Sequence, residues 1–200
     1  MYLIGYNFEK MEGIVFNKKH GILDMVLSGQ KTMFRLQSRQ RKPDALYNNF
    51  KYHVGDIIPI LQSYKELGLN PNDSCMEKNE DGHFITMLVK DSKGWSNAQY
   101  VDVRKMPYSI QITGVKTERI QDISNDDCRL EGIIPVDVND VGLLDGNMPF
   151  EGYSLDGKSW AGDTPQEVFK NVSNKFVKKD AWLNNKLVDC YTFKLIKERN

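Results

Sequence analysis

Two segments of the chain carry apolar residues at helical spacing. Ile22 and Met25 fall on one face of a stretch that Gly29 is placed to end. The residues 164–167, Thr-Pro-Gln-Glu, form a capping box with proline at the first helical position. A shorter stretch begins with Ser124 and ends before a glycine. These patterns predict helices over 18–28, 124–131 and 165–178.

Shorter runs alternate apolar and polar residues, or are rich in β-branched and aromatic residues, as is typical of strands. The run over 56–61 contains a proline, which favours an edge position or a bulge. Because the strands and helices follow no regular βαβ order, the pattern indicates an α+β fold with one curled, mainly antiparallel sheet approaching closure. We predict strands over 31–39, 56–61, 84–90, 109–118 and 187–196, with the first and last helices packed against the sheet.

Two further segments are rich in turn-forming residues. The segment 62–83 contains many Asn, Asp, Gly and Pro residues and predicts an insertion, and 133–163 predicts a long loop. A length of 200 residues suits one domain with such insertions. We therefore expect a single domain over 1–200.

Charge is balanced overall but not along the chain. The 27 basic and 27 acidic residues cancel, which disfavours a protein that coats DNA without selectivity. Six basic residues face one acidic residue over 29–53, and ten acidic residues face two basic ones over 121–163. This segregation indicates either an anion-binding surface on one side or two solvated loops.

The cysteine pattern carries no signature of a metal site. The residues Cys75, Cys128 and Cys190 are far apart and form no CxxC pair, which is typical of a reduced cytoplasmic protein without a metal centre. No segment approaches the apolar length that a membrane span needs. The sequence therefore predicts a cytoplasmic location, no membrane association, no metal and no cofactor.

Several islands of the sequence resemble ASCH domains. The segment 22–35, Ile-Leu-Asp-Met-Val-Leu-Ser-Gly-Gln-Lys-Thr-Met-Phe-Arg, resembles the family's signature helix, which ends in Gly-x-Lys-Thr and is followed by an arginine. Val-Gly-Asp-Ile-Ile over 54–58 resembles the Gly-Asp that opens a barrel strand. The segment 110–132, which ends in Leu-Glu-Gly, and the helix and strand over 164–196 are similar to the phage- and prophage-associated branch.

The resemblance implies a PUA-like β-barrel with flanking helices, a fold group associated with RNA binding and with reading modified bases. Its cleft is bordered by the Gly-x-Lys-Thr loop and the helix that ends in Glu-Gly. One small bacterial branch hydrolyses an acylated cytidine with a lysine, a threonine and a glutamate. By motif position the lysine corresponds to Lys31 and the glutamate to Glu131, but Phe34 stands where the threonine is expected. One catalytic element is therefore missing.

The charged candidates each have an ordinary alternative. Lys31 follows a helix-ending glycine and could project into a cleft, to bind phosphate or act as a base, or could be a surface lysine. Arg35 and Arg39 lie four apart on a predicted strand, so they share a face and could hold phosphate or be solvated. Glu131 lies at a helix C-terminus, where the dipole disfavours it. It could accept from a base edge or form a salt bridge with Lys31.

The aromatic candidates suit stacking on bases. Phe34 offers a ring in place of a hydroxyl, and Thr32 could supply the hydroxyl only if the loop changed register. Trp95 and Trp160 lie in predicted loops, where their rings could stack on bases. Trp182 is expected to pack under the last helix.

Three functions follow from these patterns. The first is an RNA- or nucleotide-binding module. The second is a metal-free amidohydrolase that acts on an acylated nucleoside, with Lys31 and Glu131 as its catalytic residues. The third is an accessory protein of a mobile element that binds another protein. In each case we expect Lys31, Arg35 and Glu131 to line one concave surface, with 133–163 along its rim.

Overall fold

The computed structural model describes most of the chain in two compact units. The first unit consists of Met1–Phe16, Ile57–Ile110 and Ile196–Asn200, and the second of Asn17–Asp56 and Gln111–Leu195. No helix among the described residues has the length and apolar character that crossing a membrane requires. The described residues are 13–18, 21–38, 50–79, 81–137, 151–155, 157, 161–177 and 180–197.

The described residues alternate irregularly between eight named strands and three α-helices, as an α+β pattern predicts. Single-turn 3-10 helices lie between residues 89 and 105 and again over Ile120–Asp122. The helices are α1 (Ile22–Leu27), α2 (Asn125–Leu130) and α3 (Pro165–Phe176). The strands are β1 (Met33–Gln37), β2 (Ile57–Pro59), β3 (Ser74–Lys78), β4 (Phe84–Leu88), β5 (Tyr108–Arg119), β6 (Ile134–Asp137), β7 (Glu151–Ser154) and β8 (Leu187–Lys197).

The largest sheet has four strands in the order β1-β8-β5-β2. β1 and β8 are antiparallel, with Phe34 opposite Tyr191 and Arg35 opposite Cys190. β2, which contains Pro59, lies at one edge, as the proline predicted. Within the described residues the sheet is open, with β1 and β2 as its outer strands, so closure into a barrel is not confirmed.

Two expectations for the strands are wrong. β4 does not join the main sheet but pairs with β3, which lies inside the segment expected to be an insertion loop. β6 and β7 pair inside the segment 133–163, which was expected to be a loop throughout. In both places the strands have only four or five residues, flanked by turn-forming residues, so the turn signal outweighs the strand signal in the sequence.

The first unit has its own apolar core. Tyr64 is buried there, and its hydroxyl accepts a hydrogen bond of 2.8 Å from the backbone N–H of Asp102. Gly94 lies so close to the Tyr64 ring that an added Cβ would come within 2.6 Å of it. Trp95 is partly buried and packs against this core, whose buried members are Leu61, Tyr64, Val89, Val101 and Met106.

In the second unit α3 packs its apolar side inward, as its sequence predicted. Thr164 caps the helix by accepting from the backbone N–H of Glu167 at 3.2 Å. Val168 and Phe169 are fully buried. Trp182 meets Phe169 edge to face with ring centroids 6.1 Å apart, which confirms its predicted place under the last helix.

Candidate functional site

The loop that follows α1 is tied to α2 by backbone hydrogen bonds. Gly29 takes a φ of 79°, a conformation that glycine adopts without strain, and so ends the helix. The backbone N–H of Lys31 then donates to the carbonyl of Met25 at 3.0 Å. The next N–H, that of Thr32, donates to the carbonyl of Leu130 at 2.8 Å. The lysine is thereby placed directly beside the end of α2.

α2 presents two carboxylates to this loop. Asp127 and Glu131 are four residues apart and therefore share a face of the helix. Gly132 has a φ of 102°, and a Cβ there would lie 3.1 Å from the sulfur of Met25 and 3.4 Å from Cβ of Lys31. The glycine therefore permits both the turn and the close approach of the helix end to the lysine.

The side chains of these elements form a buried ion-pair network. The amine of Lys31 donates to the carboxylate of Glu131 and to its carbonyl, the latter at 3.1 Å. Arg35 donates through one terminal nitrogen to Glu131. Its other terminal nitrogen lies 2.9 Å from Glu118 and 3.5 Å from Asp127. Lys31, Arg35 and Glu131 are 2%, 1% and 0% exposed.

Lys116 forms the outer end of the network. Its amine lies 2.7 Å from Oε2 of Glu118 and 2.5 Å from Oδ2 of Asp127. The side chain is 48% exposed, whereas those of the two carboxylates are 14% and 12% exposed. The network thus joins three cations, Lys31, Arg35 and Lys116, to three carboxylates, Glu118, Asp127 and Glu131.

Besides its three carboxylate partners, the guanidinium of Arg35 has an aromatic ring near it. Cζ of Arg35 lies 5.3 Å from the ring centroid of Phe169. The thiol of Cys190 lies 3.5 Å from a carboxylate oxygen of Glu118. Cys128 is fully buried, and burial raises the pKa of its thiol to about 12, so it remains protonated. Among the described residues, Nε of Arg35 has no hydrogen-bond partner.

The network affects its basic and acidic members differently. Burial lowers the pKa of Lys31, the attraction of Glu131 opposes this, and Arg35 adds to the lowering. Burial alone would also raise the pKa of Glu118, but hydrogen bonds from Lys116 and Arg35 outweigh it and lower that pKa. The arginine stays charged in any case. The proton of Lys31 is therefore easier to remove than that of an ordinary lysine.

The predicted charged residues come together, though not on an open surface. Lys31, Arg35 and Glu131 meet in one network, but they are withdrawn from solvent because their opposite charges pair with one another. The alternatives of a surface lysine and of a solvated Arg35 are therefore wrong. Arg39 lies outside the described residues.

Phe34 points away from the network. Neighbouring strand residues alternate between faces, so its ring lies on the opposite side of β1 from Arg35. There it stacks on Tyr191 with ring centroids 5.0 Å apart and also contacts the rings of Tyr52 and Phe193. The ring is 5% exposed. Stacking of a base on Phe34 stays a prediction, and it requires the ring to leave this aromatic cluster.

The remaining predicted site residues are more scattered. Trp95 belongs to the core of the first unit, whereas the ion-pair network lies within the second. Trp160 lies outside the described residues. The segment 133–163 does approach the loop, because Nε2 of Gln30 donates to the carbonyl of Leu155 at 3.2 Å, as well as to that of Gly132 at 2.6 Å.

The sequence interpretation did not select three members of the network, Lys116, Glu118 and Asp127. Two signals could have found them. Lys116 and Glu118 are two residues apart on a strand and therefore share a face. Asp127 precedes the candidate glutamate by one helical turn. Within the described part of the chain, no group of His, Cys, Asp or Glu side chains is arranged to hold a metal ion.

Comparison with known proteins adds one partial likeness. No family model matches the sequence, and no curated protein matches it. A solved structure described as an ASCH domain from Lactobacillus crispatus JV V101 aligns with 88% of this chain and 70% of its own, at 14% identity and a TM-score of 0.38. A TM-score this low describes a partial similarity of chain path. The resemblance to ASCH domains therefore rests on the sequence motifs alone.

Proposed function

We propose that the chain is an ASCH-type, PUA-like module that binds RNA, a nucleotide or a modified base at Lys31, Arg35 and Glu131. The observation that carries this proposal is their convergence. Lys31 and Glu131 are 100 residues apart in the sequence, yet their side chains are paired in the interior. The sequence segments that resemble ASCH domains indicate the same lysine and glutamate.

The energetics of burial support a binding role. Removing charged groups from water costs several kcal/mol per ion, and the pairing between them often only offsets that cost. Apolar residues of similar size would often stabilise such an interior at least as well. A buried network is therefore better explained by what its donors and acceptors can recognise. Lys31 can donate to a ring carbonyl or ring nitrogen of a base, and Glu131 can accept from an amino group.

Lys31, Arg35 and Glu131 are buried in this structure, so binding at these residues must include a local movement that exposes them. The cations of the network already form ion pairs with carboxylates, so the network is better suited to the polar edge of a base than to phosphate. Phosphate contacts in the basic segment 31–51 then fall to residues outside the network. Lys51 is one such residue: it is exposed, with its amine 4.8 Å from the ring centroid of Tyr52.

A binding experiment with two matched variants tests this proposal. The purified chain is titrated calorimetrically with cytidine, acylated cytidine and a short single-stranded RNA. Glu131→Gln removes the central carboxylate, and Asp126→Asn removes an exposed carboxylate from the start of the same helix. We expect Glu131→Gln to weaken binding at least tenfold and Asp126→Asn to leave it unchanged, with circular dichroism establishing that both variants fold. Equal binding by both would refute the site, and no binding to any probe at low salt would favour a protein partner.

The Lys31–Glu131 contact also supports the second candidate, the amidohydrolase. A lysine with a lowered pKa beside a carboxylate could pass a proton to a leaving amine. Amide hydrolysis further needs a fixed donor for the oxyanion, and the hydroxyl expected from the motif is replaced by Phe34. We therefore propose binding without turnover. Release of the acyl group from acylated cytidine, abolished by Lys31→Ala, would instead make the chain an enzyme.

The location and biological setting belong to the same proposal. Cys75, Cys128 and Cys190 are all free thiols, as expected of a protein in the reducing cytoplasm. The amino-acid sequence of segment 110–132 resembles that of the phage-associated branch, so we propose a role in a mobile element. RNA with modified bases, nucleotides and a protein of the same element are the partners to be compared.

A further inference from the structure

Lys116 occupies the solvent-facing end of the buried network. The charged groups that face its amine are Glu118 on its own strand and Asp127 on α2. Beyond them lies Arg35 on β1, which shares both carboxylates. Cys190 on β8 contacts Glu118 as a neutral thiol, because burial raises the pKa of this cysteine. Lys116 is therefore the member of the network that contacts both solvent and the buried carboxylates.

The balance of charges makes the inner pair depend on this outer lysine. With Lys116 present, three cations face three carboxylates. Without it, Glu118 and Asp127 would have only the guanidinium of Arg35 as their partner. The guanidinium would then be attracted toward these two carboxylates and away from Glu131. In the structure, one terminal nitrogen of Arg35 donates to Glu131, and the other donates to Glu118 and Asp127.

We propose that Lys116 is a positioning residue for the Lys31–Glu131 pair. It neutralises Glu118 and Asp127 from the solvent side, so that one nitrogen of the buried guanidinium remains on Glu131. The charge of Glu131 is thereby shared between two cations, which limits how strongly it holds the proton of Lys31. The outer lysine thus sets the ionisation of an inner lysine that it does not touch.

The pKa of Lys31 is the direct readout. Protein labelled with carbon-13 at the lysine Cε is titrated by NMR, and Lys31→Met identifies the resonance. In Lys116→Met, Glu131 acts mainly on Lys31, so we expect the pKa of Lys31 to rise by roughly one unit, the order of shift that a changed charge partner produces. Glu118→Gln removes a competing carboxylate and should lower it instead.

Three controls make the experiment decisive. Lys116→Arg keeps the charge and should leave the titration near that of the wild type. Lys194→Met removes an exposed charge from the same unit outside the network and should also leave it unchanged. The double variant Lys116→Met/Glu118→Gln restores the charge balance and should fall between the two single variants. Should Lys116→Met not fold, a lowered pKa of Lys31 in Glu118→Gln supports the proposal, and an unchanged or raised one overturns it.

Opposite shifts of the Lys31 pKa in Lys116→Met and Glu118→Gln support the proposal. Shifts of the same sign, or an unchanged pKa in both variants, overturn it. The inference concerns the same pair as the proposed function, but the titration uses the protein without any ligand. A protein that binds no base can therefore still show the coupling, and a protein without the coupling can still bind. The two proposals fail separately.

Discussion

Glu131→Gln is the substitution that tests the buried network most directly. The change keeps the size of the side chain and removes its charge. The carboxylate receives one charge-assisted hydrogen bond from Lys31 and another from Arg35, and the side chain is fully buried. An amide can accept through its oxygen, but its NH₂ group then faces the second cation as another donor. The variant therefore loses one bond outright and weakens the other.

The expected loss of stability follows from these contacts. Breaking a buried ion pair by removing one partner typically costs about 3–5 kcal/mol, because it leaves a charge unpaired in the interior. For a chain of about 200 residues, each kcal/mol lowers the melting temperature by roughly 2–4 °C. We expect the melting temperature of Glu131→Gln to fall by about 6–20 °C. Thermal unfolding followed by circular dichroism, with urea unfolding as a second measure, gives both quantities.

Asp126→Asn is the matched comparison. Asp126 pairs with Arg129 at 2.7 Å at the start of the same helix, but its side chain is 89% exposed. Exposed pairs of this kind contribute less than about 1 kcal/mol. If Glu131→Gln were no more destabilising than Asp126→Asn, the interior charges would not depend on one another, and the reasoning from burial would be refuted.

Three further predictions concern other features of the second unit. Gly132→Ala should destabilise the protein in urea unfolding by about 1–3 kcal/mol, because a side chain at that positive φ is strained and meets Met25. Thr164→Ala removes the hydroxyl that accepts from the N–H of Glu167 and should cost about 1 kcal/mol by the same measurement. The folded-state pKa of Glu118 lies below its ordinary 4.5, so its contribution is present above that pH and is lost as the pH falls through the folded value. Glu118→Gln should therefore lose less stability than the wild type between pH 6 and pH 3, as measured by urea midpoints.

Much of the secondary structure could be predicted from local signals. The capping box at 164–167 and the alternation over 109–118, which shifts phase at Gly114, correspond to α3 and β5 because each signal spans several residues. β3, β6 and β7 were missed because each is short and is stabilised by a partner strand that the local sequence does not identify. The place of β4 outside the main sheet depends on the same non-local pairing.

The candidate site was predicted in part. Lys31 and Glu131 could be named because motif landmarks mark them. Their neighbours Lys116 and Glu118 could not be selected, since alternate charges on a strand are equally typical of a solvent-exposed face. What distinguishes the two cases is that Lys116 on β5 pairs with Asp127 on α2, and this depends on tertiary structure. Burial of a charged residue is therefore the property that the sequence pattern conveys least.

The unequal distribution of charge along the chain has a different meaning in the folded protein. The basic segment 29–53 and the acidic segment 121–163 predicted either an anion-binding surface or two solvated loops. In the structure, Lys31 and Arg35 of the basic segment form ion pairs with carboxylates of the acidic segment. Two cations are thus unavailable for phosphate. Each phosphate contact steepens the dependence of log K on log salt concentration by roughly 0.7–0.9. RNA binding through the buried network should therefore have a slope shallower by about 1.5 than binding in which both cations contact phosphates. A shallow slope together with loss of binding in Glu131→Gln would indicate recognition of the base, whereas a steep slope unaffected by Glu131→Gln would indicate binding to the phosphate backbone elsewhere on the chain.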